Sequence, residues 1–158
     1  MADDISLNIN GVNELKRALL GIPDRLRKRV LLKPLRESAV PLRSRSKSAA
    51  PVLKKPTKYR KKGTVRRALS IRTSKIAAKE GNVGVFVGVR PLRGSRQKTL
   101  GAAGAKNPND PYYWKFLEFG TKKMTARPFL SKSASLLPQV ARDFSARAIA
   151  AINKLNNR

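Results

Sequence analysis

The side chains that could carry chemistry in this 158-residue chain are nine scattered acids and 36 lysines and arginines. The chain has no His and no Cys, which removes the usual zinc ligands, the Ser–His and Cys–His nucleophile pairs and the commonest general base. Only Asp3 and Asp4 are adjacent acids. Metal-dependent nucleases hold their ions with clustered carboxylates, so the spacing favours a protein that is not an enzyme and has no metal or cofactor. A nuclease whose carboxylates meet only on folding is the weakest alternative.

The positive charge is the strongest feature of the composition, because it leaves a net charge of +27. Between Arg25 and Lys75, nineteen basic residues stand against the single acid Glu37. A field of this size requires a counter-charge, which could be nucleic acid, an anionic surface or an acidic protein. The candidate polyanion contacts lie in the densest basic run and in a later basic loop: Lys54, Lys55, Lys58, Arg60, Lys61, Lys62, Arg66, Arg67, Arg93, Arg96 and Lys98.

The residues around this basic run limit what it could recognise. Tyr59 is the only aromatic residue between Lys54 and Arg67, which gives little support for base stacking. No recognition-helix motif is present. Contact with nucleic acid should therefore be electrostatic, independent of sequence and sensitive to salt. A solvated loop without a ligand is the plain alternative.

The bulky apolar residues are concentrated in the aromatic segment, Pro111 to Leu130, which holds the single Trp, two of the three Tyr and three of the five Phe. Such a concentration indicates either the centre of the core or a contact surface. Glu118 is the lone acid between Pro111 and Leu130. We interpret Glu118 as a surface carboxylate that pairs with a neighbouring Lys or, alternatively, as one half of an ion pair between subunits.

The hydrophobic pattern predicts helices in the N-terminal third of the chain and at its C-terminal end. The N-terminal elements are a short strand over Ile5–Ile9, a helix over Val12–Leu20, and a helix from an N-cap at Asp24 to about Ala50. Pro34 and Pro41 should kink or break that long helix. The last helix runs from Leu130 to the end of the chain, with a kink at Pro138.

The middle of the chain reads as a helical turn and two strands. The turn and the first strand fall within Val65–Thr73, and the second strand is Val83–Val89, where Gly84 and Gly88 permit close approach. The strands should pair antiparallel across a turn at Glu80–Gly81–Asn82. Flexible basic loops are expected at about residues 51–63 and 90–111.

The pattern as a whole predicts a single α+β domain over residues 1–158. It comprises a small, mostly antiparallel sheet flanked by helices, a long C-terminal helix and two long basic loops. No apolar run approaches the length of a membrane span, so no membrane partner is expected.

The order of residues in the aromatic segment resembles a tailed-bacteriophage tail-component family, the head–tail joining or tail-completion proteins of the minor tail protein Z type. Members show an aromatic residue, a Glu–Phe–Gly–Thr core, a short polar turn and a Pro–Phe–Leu that opens the last helix. The matching elements here are Tyr113, Glu118–Phe119–Gly120–Thr121, Lys122–Lys123–Met124 and Arg127–Pro128–Phe129–Leu130. Gly63 to Ile71 is similar to the family's glycine–leucine–Ser–Ile segment. The two basic loops are longer and more basic than the family pattern requires.

The resemblance implies a non-enzymatic virion protein of the neck of a long-tailed phage, located in the host cytoplasm during assembly. Such proteins form homo-oligomeric rings, commonly of six copies, around the DNA path. The implied partners are further neck and tail proteins (terminator, connector or tail-tube rings) and, without sequence specificity, genomic DNA.

The residues expected to form the core or the subunit interface lie in the aromatic segment: Tyr112, Tyr113, Trp114, Phe116, Glu118, Phe119, Gly120, Thr121, Pro128 and Phe129. The aromatic members should pack the last helix against the sheet, and some should reach a neighbouring subunit. The alternative function, from a different class, is a monomeric nucleic-acid-binding protein of ribosomal or chromatin type.

Overall fold

A computed structural model describes residues 22–157 together with Leu15, Arg17, Leu19 and Leu20. The chain divides into two compact units: unit 1 comprises residues 1–41, 73–86 and 135–158, and unit 2 comprises residues 42–72 and 87–134. The predicted strand Ile5–Ile9 lies outside the described residues. Within the predicted helix Val12–Leu20, all four described positions are helical.

The described elements combine several helices with a two-stranded sheet. In chain order they are α1 (Asp24–Ser38), α2 (Val40–Ala49), α3 (Thr64–Ala68), β1 (Leu69–Thr73), α4 (Lys75–Lys79), β2 (Val85–Val89), α5 (Ser95–Leu100), α6 (Trp114–Phe119), a 3-10 helix (Ser131–Leu136) and α7 (Leu137–Asn156). Strands β1 and β2 pair antiparallel, which confirms the α+β class. None of the helices in this part of the chain is both long and apolar enough to cross a membrane.

The long helix predicted from Asp24 is two helices, α1 and α2, which are separated at Ala39. Pro41 has no N–H to donate to the carbonyl of Glu37, and its ring crowds that carbonyl, which favours a break in the helix at this point. Helix α1 continues through Pro34. The N-cap of α1 is Pro23 rather than Asp24, so the predicted cap is wrong by one residue.

The apolar faces of α1 and α7 contribute to the core of unit 1. The buried members of this core are Leu15, Ile22, Leu31, Ala148 and Ile152. Helix α7 begins at Leu137, and Pro138 falls in its first turn, where proline is well tolerated. Instead of one helix kinked at Pro138, the structure has a 3-10 helix that ends at Leu136, followed directly by α7.

The connection between β1 and β2 is longer than the predicted turn at Glu80–Gly81–Asn82, because it includes a short helix. Helix α4 lies between them, and Ser74 caps it by accepting a hydrogen bond from the amide of Ala77 at 3.2 Å. A Cβ at Gly84 would lie 2.8 Å from the Cβ of Ala77, so the absence of a side chain at Gly84 allows α4 to approach the chain before β2. This confirms the close approach predicted for Gly84.

Both predicted basic loops contain local structure. Residues 51–63 include a tight turn in which Thr57 and Arg60 pair as an isolated antiparallel bridge. Residues 90–111 include α5 and a turn organised by Asn107. The side-chain Nδ2 of Asn107 donates hydrogen bonds to the backbone carbonyls of Leu100 and Ala102. Sequence periodicity could not reveal these features, because each is shorter than two helical turns.

The core of unit 2 joins both strands to the aromatic segment. Its buried members are Ala50, Val65, Ala68, Leu69, Val89, Tyr113 and Phe129. Trp114 and Leu117, which are half-buried, pack against this cluster. The core therefore fixes the position of α6 and of the chain that follows it.

Candidate functional site

The aromatic segment contains both buried and exposed aromatic residues. Tyr113 and Phe129 are buried, whereas Phe116 and Phe119 are 49% and 73% exposed. Phe116 and Phe119 are three residues apart on α6 and therefore lie on the same side of the helix. We call them the exposed aromatic pair. The buried aromatics Tyr113 and Phe129 pack with residues of both strands in the core of unit 2. The predicted contact of the exposed members with a neighbouring subunit stays a prediction.

Glu118 lies on the buried side of α6 and is only 4% exposed. One carboxylate oxygen, Oε2, accepts hydrogen bonds from the amides of Phe129 at 2.8 Å and Leu130 at 3.0 Å. The other, Oε1, accepts from the amide and the hydroxyl of Ser131, at 2.9 and 2.6 Å. We call this arrangement the Glu118 clasp. The interpretation of Glu118 as a surface carboxylate paired with a neighbouring Lys is wrong, because the side chain is buried and its partners are backbone amides and a serine of its own chain. The alternative, an ion pair between subunits, stays a prediction.

The clasp sets the ionisation of the Glu118 carboxyl. Burial alone would raise its pKa, but the hydrogen bonds from Ser131, Leu130 and Phe129 outweigh this effect and hold the pKa below its ordinary value. The carboxylate is therefore ionised at neutral pH. It carries its charge at the start of the 3-10 helix, where free amides favour an anion.

A tight turn follows Glu118 and reverses the chain. Gly120 has a φ of +75°, and a Cβ there would lie 2.8 Å from the nitrogen of Ala126 and 2.9 Å from the oxygen of Met124. Thr121 and Met124 exchange hydrogen bonds of 2.8 and 3.1 Å, which leaves Lys122 and Lys123 exposed at the tip. The turn brings the chain back to the clasp.

The turn at residues 57–60 is attached to the start of the aromatic segment through Arg60. The guanidinium carbon of Arg60 lies 5.9 Å from the ring centre of Tyr112 and 5.1 Å from that of Tyr113. Its Nη2 also donates to the hydroxyl of Tyr112 at 3.0 Å. Lys61 donates to Asn109 Oδ1 at 3.4 Å, which adds a second link to the same loop.

The candidate polyanion contacts all lie in unit 2, although they do not share one environment. Ten of the eleven are exposed, and Arg96, which is half-buried, donates to the carbonyl of Arg90. Arg66 donates at 3.4 Å to the carbonyls of both Ser48 and Ala50, so its guanidinium supports the end of α2. The lysines of residues 54–62 are the contacts closest together along the chain.

Unit 2 contains 22 lysines and arginines but only two acids, Asp110 and Glu118. Asp110 is 5% exposed, and its Oδ2 accepts a hydrogen bond from the amide of Gly104 at 2.7 Å. Since Glu118 is buried in the clasp, the accessible surface of unit 2 presents almost no carboxylate. Sequence reasoning found the excess of charge but missed the burial of both acids.

Among the described residues, no three or more Asp and Glu side chains come together in a way that could hold a metal ion. The features of unit 2 best suited to function are two binding surfaces, the exposed aromatic pair and the exposed Lys and Arg side chains. Comparison of the chain with protein-family models, with curated proteins and with solved structures returned no match.

Proposed function

We propose that this chain is a non-enzymatic structural protein of the neck of a long-tailed phage, where it forms a ring that completes the tail or joins it to the head. The proposal rests on the aromatic segment, whose order of residues resembles the tail-completion family. The observation that carries it is that the resembling residues form one local arrangement. Glu118 and Phe129 meet in the clasp, and Gly120 permits the turn that returns the chain to it.

The same arrangement supports a role in assembly. Because the clasp and the core of unit 2 fix α6, the exposed aromatic pair is held on a packed helix instead of a loop. Aromatic side chains are enriched at protein interfaces, where they bury a large area at a low cost in conformational entropy. We therefore assign the exposed aromatic pair to contact with another subunit or another ring of the neck.

The test is removal of the gene from the phage genome that encodes it, followed by electron microscopy of the particles produced. The proposal predicts heads and tails that fail to join or tails that are not completed, and a plasmid copy of the wild-type gene should restore joined particles. Joined particles of normal appearance in the absence of the gene would contradict the proposal. Portal, capsid or tail-tube genes beside this one would support it, whereas a ribosomal-protein operon would oppose it.

Rescue by variants tests the exposed aromatic pair itself. A plasmid copy carrying Phe119→Ser should rescue poorly, because the interface loses its most exposed aromatic side chain. Ile76→Ser is the matched control, since Ile76 is an apolar residue of α4 that is 72% exposed, against 73% for Phe119. Equal rescue by the two variants would remove the exposed aromatic pair from the proposal.

The second candidate function is a monomeric protein that binds nucleic acid without sequence specificity. It is favoured by one observation, the near absence of carboxylates from the accessible surface of unit 2. Light scattering at low and high salt separates the two candidates. A ring of defined mass that persists at both salt concentrations without DNA supports the neck protein, and a chain that stays monomeric at both supports the alternative.

A further inference from the structure

The residues 54–62, which we call the basic hairpin, form a turn with defined geometry. Thr57 and Arg60 exchange backbone hydrogen bonds of 2.9 and 3.1 Å, so Lys58 and Tyr59 occupy the tip. Every residue from Lys54 to Lys62 is exposed. The hairpin therefore displays its lysines to solvent from a closed turn.

Contacts with the neighbouring loop position the basic hairpin. Arg60 binds Tyr112 through its guanidinium, and Lys61 binds Asn109. Just after the hairpin, the hydroxyl of Thr64 lies within hydrogen-bond distance of two carbonyl oxygens, that of Lys61 at 3.1 Å and that of Pro108 at 3.0 Å. A cationic surface held in this way loses less conformational entropy on binding than a free loop would.

The electrostatic surroundings of the basic hairpin leave its lysines available to an external anion. Both acids of unit 2 are buried and accept hydrogen bonds from backbone amides, at Gly104 for Asp110 and at the clasp for Glu118. Neither carboxylate is accessible to the hairpin lysines. Within unit 2 the field is therefore positive with little compensation from carboxylates of the same unit.

The basic hairpin also lacks the cluster of apolar side chains that forms the centre of a typical protein–protein interface. Tyr59, at 44% exposed, is its one large apolar side chain, and the ammonium of Lys58 lies 5.8 Å from the centre of its ring. An acidic protein partner would need an apolar core to the contact, as the exposed aromatic pair offers elsewhere in unit 2. The phosphate backbone of nucleic acid can be bound through charge alone, because its negative charges repeat at short, regular intervals. It is therefore the ligand that fits an exposed lysine-rich turn.

We propose that the basic hairpin binds the phosphate backbone of duplex DNA without regard to sequence. Duplex DNA is favoured over single strands because stacking on bases needs several aromatic side chains, and the hairpin offers only Tyr59. This inference adds to both candidate functions the surface that contacts nucleic acid and the choice of duplex DNA, and it holds for the isolated chain whether or not a ring forms.

The test measures the affinity of the full chain for a labelled random-sequence DNA duplex as a function of salt concentration. The variant replaces Lys54, Lys55, Lys58 and Lys62 by Gln and leaves Arg60 and Lys61 in place to hold the hairpin. A matched control replaces the same number of exposed lysines in unit 1 by Gln: Lys28, Lys33, Lys75 and Lys79. Both variants lose the same charge, so only the position of the charge differs.

The slope of log K against log salt concentration should become shallower by roughly 3 to 4 in the hairpin variant, since each lost phosphate contact removes about 0.9. The control should change the slope by less than about one. Equal changes in the two variants, or no change in either, would overturn the proposal. Polyglutamate that competes with the duplex as strongly as unlabelled DNA, charge for charge, would overturn the assignment to nucleic acid.

A second measurement on the wild-type chain does not depend on how the variants fold. Bound duplex should protect Lys54, Lys55, Lys58 and Lys62 from acetylation, as read by mass spectrometry, and should leave the four control lysines reactive. Protection spread equally over both sets would overturn the proposal, because it would indicate binding by net charge alone. Neither readout involves the exposed aromatic pair, so failure of this inference is distinguishable from failure of the neck assignment.

Discussion

Glu118 joins two parts of the aromatic segment that are eleven to thirteen residues apart in sequence. Its four hydrogen bonds come from three consecutive residues, Phe129 to Ser131, and its carboxylate is buried against them. An acid placed among aromatics could suggest an ion pair, but here backbone amides compensate the charge. The residue therefore acts as a cap for the 3-10 helix and as a tie between that helix and α6.

Replacing the carboxylate tests the clasp. Glu118→Gln should lower the free energy of unfolding by about 1–3 kcal/mol. The NH2 group of Gln would replace one carboxylate oxygen and would face N–H and O–H donors from which that oxygen accepts hydrogen bonds. Chemical denaturation of both proteins at pH 7 measures this difference. Glu80→Gln is the control, since Glu80 is exposed after α4, and it should have little effect. Equal stability of the wild type and Glu118→Gln would contradict the role of the clasp.

The pH dependence of stability follows from the lowered pKa of Glu118. A carboxyl with a lower pKa in the folded state adds stability that is fully present above its unfolded pKa, near the ordinary value of 4.5. That contribution is lost as the pH falls through the folded pKa. The stability difference between wild type and Glu118→Gln should therefore be constant from pH 7 to about 5.5 and shrink below 4.5. Thermal unfolding across this range measures it, and a difference that grows on acidification would contradict the assignment.

Gly120 offers a second test at the same scale. Gly120→Ala should be more destabilising than Gly81→Ala, although both glycines have similar φ angles, +75° and +79°. The left-handed conformation costs an Ala about 1–2 kcal/mol at either position. Only at Gly120 would the new Cβ also meet backbone atoms, at 2.8 and 2.9 Å, whereas nothing lies within 4 Å at Gly81. Denaturant unfolding compares the two variants, and equal losses would show that steric contact does not matter at Gly120.

At the scale of elements, sequence patterns predicted what periodicity and residue type control. The order of α3, β1 and β2, the antiparallel pairing and the long α7 all follow from alternating or helical apolar positions. Helix α4 was missed because Lys75 to Lys79 is too short for a helical period to be visible. The clasp was missed because its donors depend on how the turn at Gly120 directs the chain.

The attachment of the basic hairpin is also an element-scale property that depends on tertiary contact. Arg60→Gln should loosen the hairpin, because it removes the stacking of the guanidinium on Tyr112 and Tyr113 and changes the hydrogen bond to the Tyr112 hydroxyl. Amide hydrogen exchange at Thr57 and Arg60 should accelerate about tenfold, as expected for a loss of about 1.4 kcal/mol. Lys58→Gln removes the same charge at the tip without touching the attachment, and it should leave the exchange rates unchanged. Faster exchange in both variants would mean that charge, and not Arg60, orders the hairpin.

At the scale of the whole molecule, charge and aromatic exposure point to two kinds of contact. Unit 2 combines an exposed aromatic pair suited to protein with a basic hairpin suited to phosphate. A neck ring needs both properties, because it meets other subunits and surrounds DNA. Composition alone predicted a polyanionic partner. It could not predict the exposed aromatic pair as a separate surface, because only the folded structure shows that Phe116 and Phe119 are exposed while Tyr113 and Phe129 are buried.

The most direct test of the neck assignment is quantitative mass spectrometry of purified particles of the phage that we propose encodes this chain. The assignment predicts that the chain is present in every preparation at a small, fixed number of copies per particle, equal to one ring. That stoichiometry should survive washing in high salt, because the ring contacts that we propose include the apolar exposed aromatic pair. Absence of the chain from particles purified to constant composition would contradict the central claim.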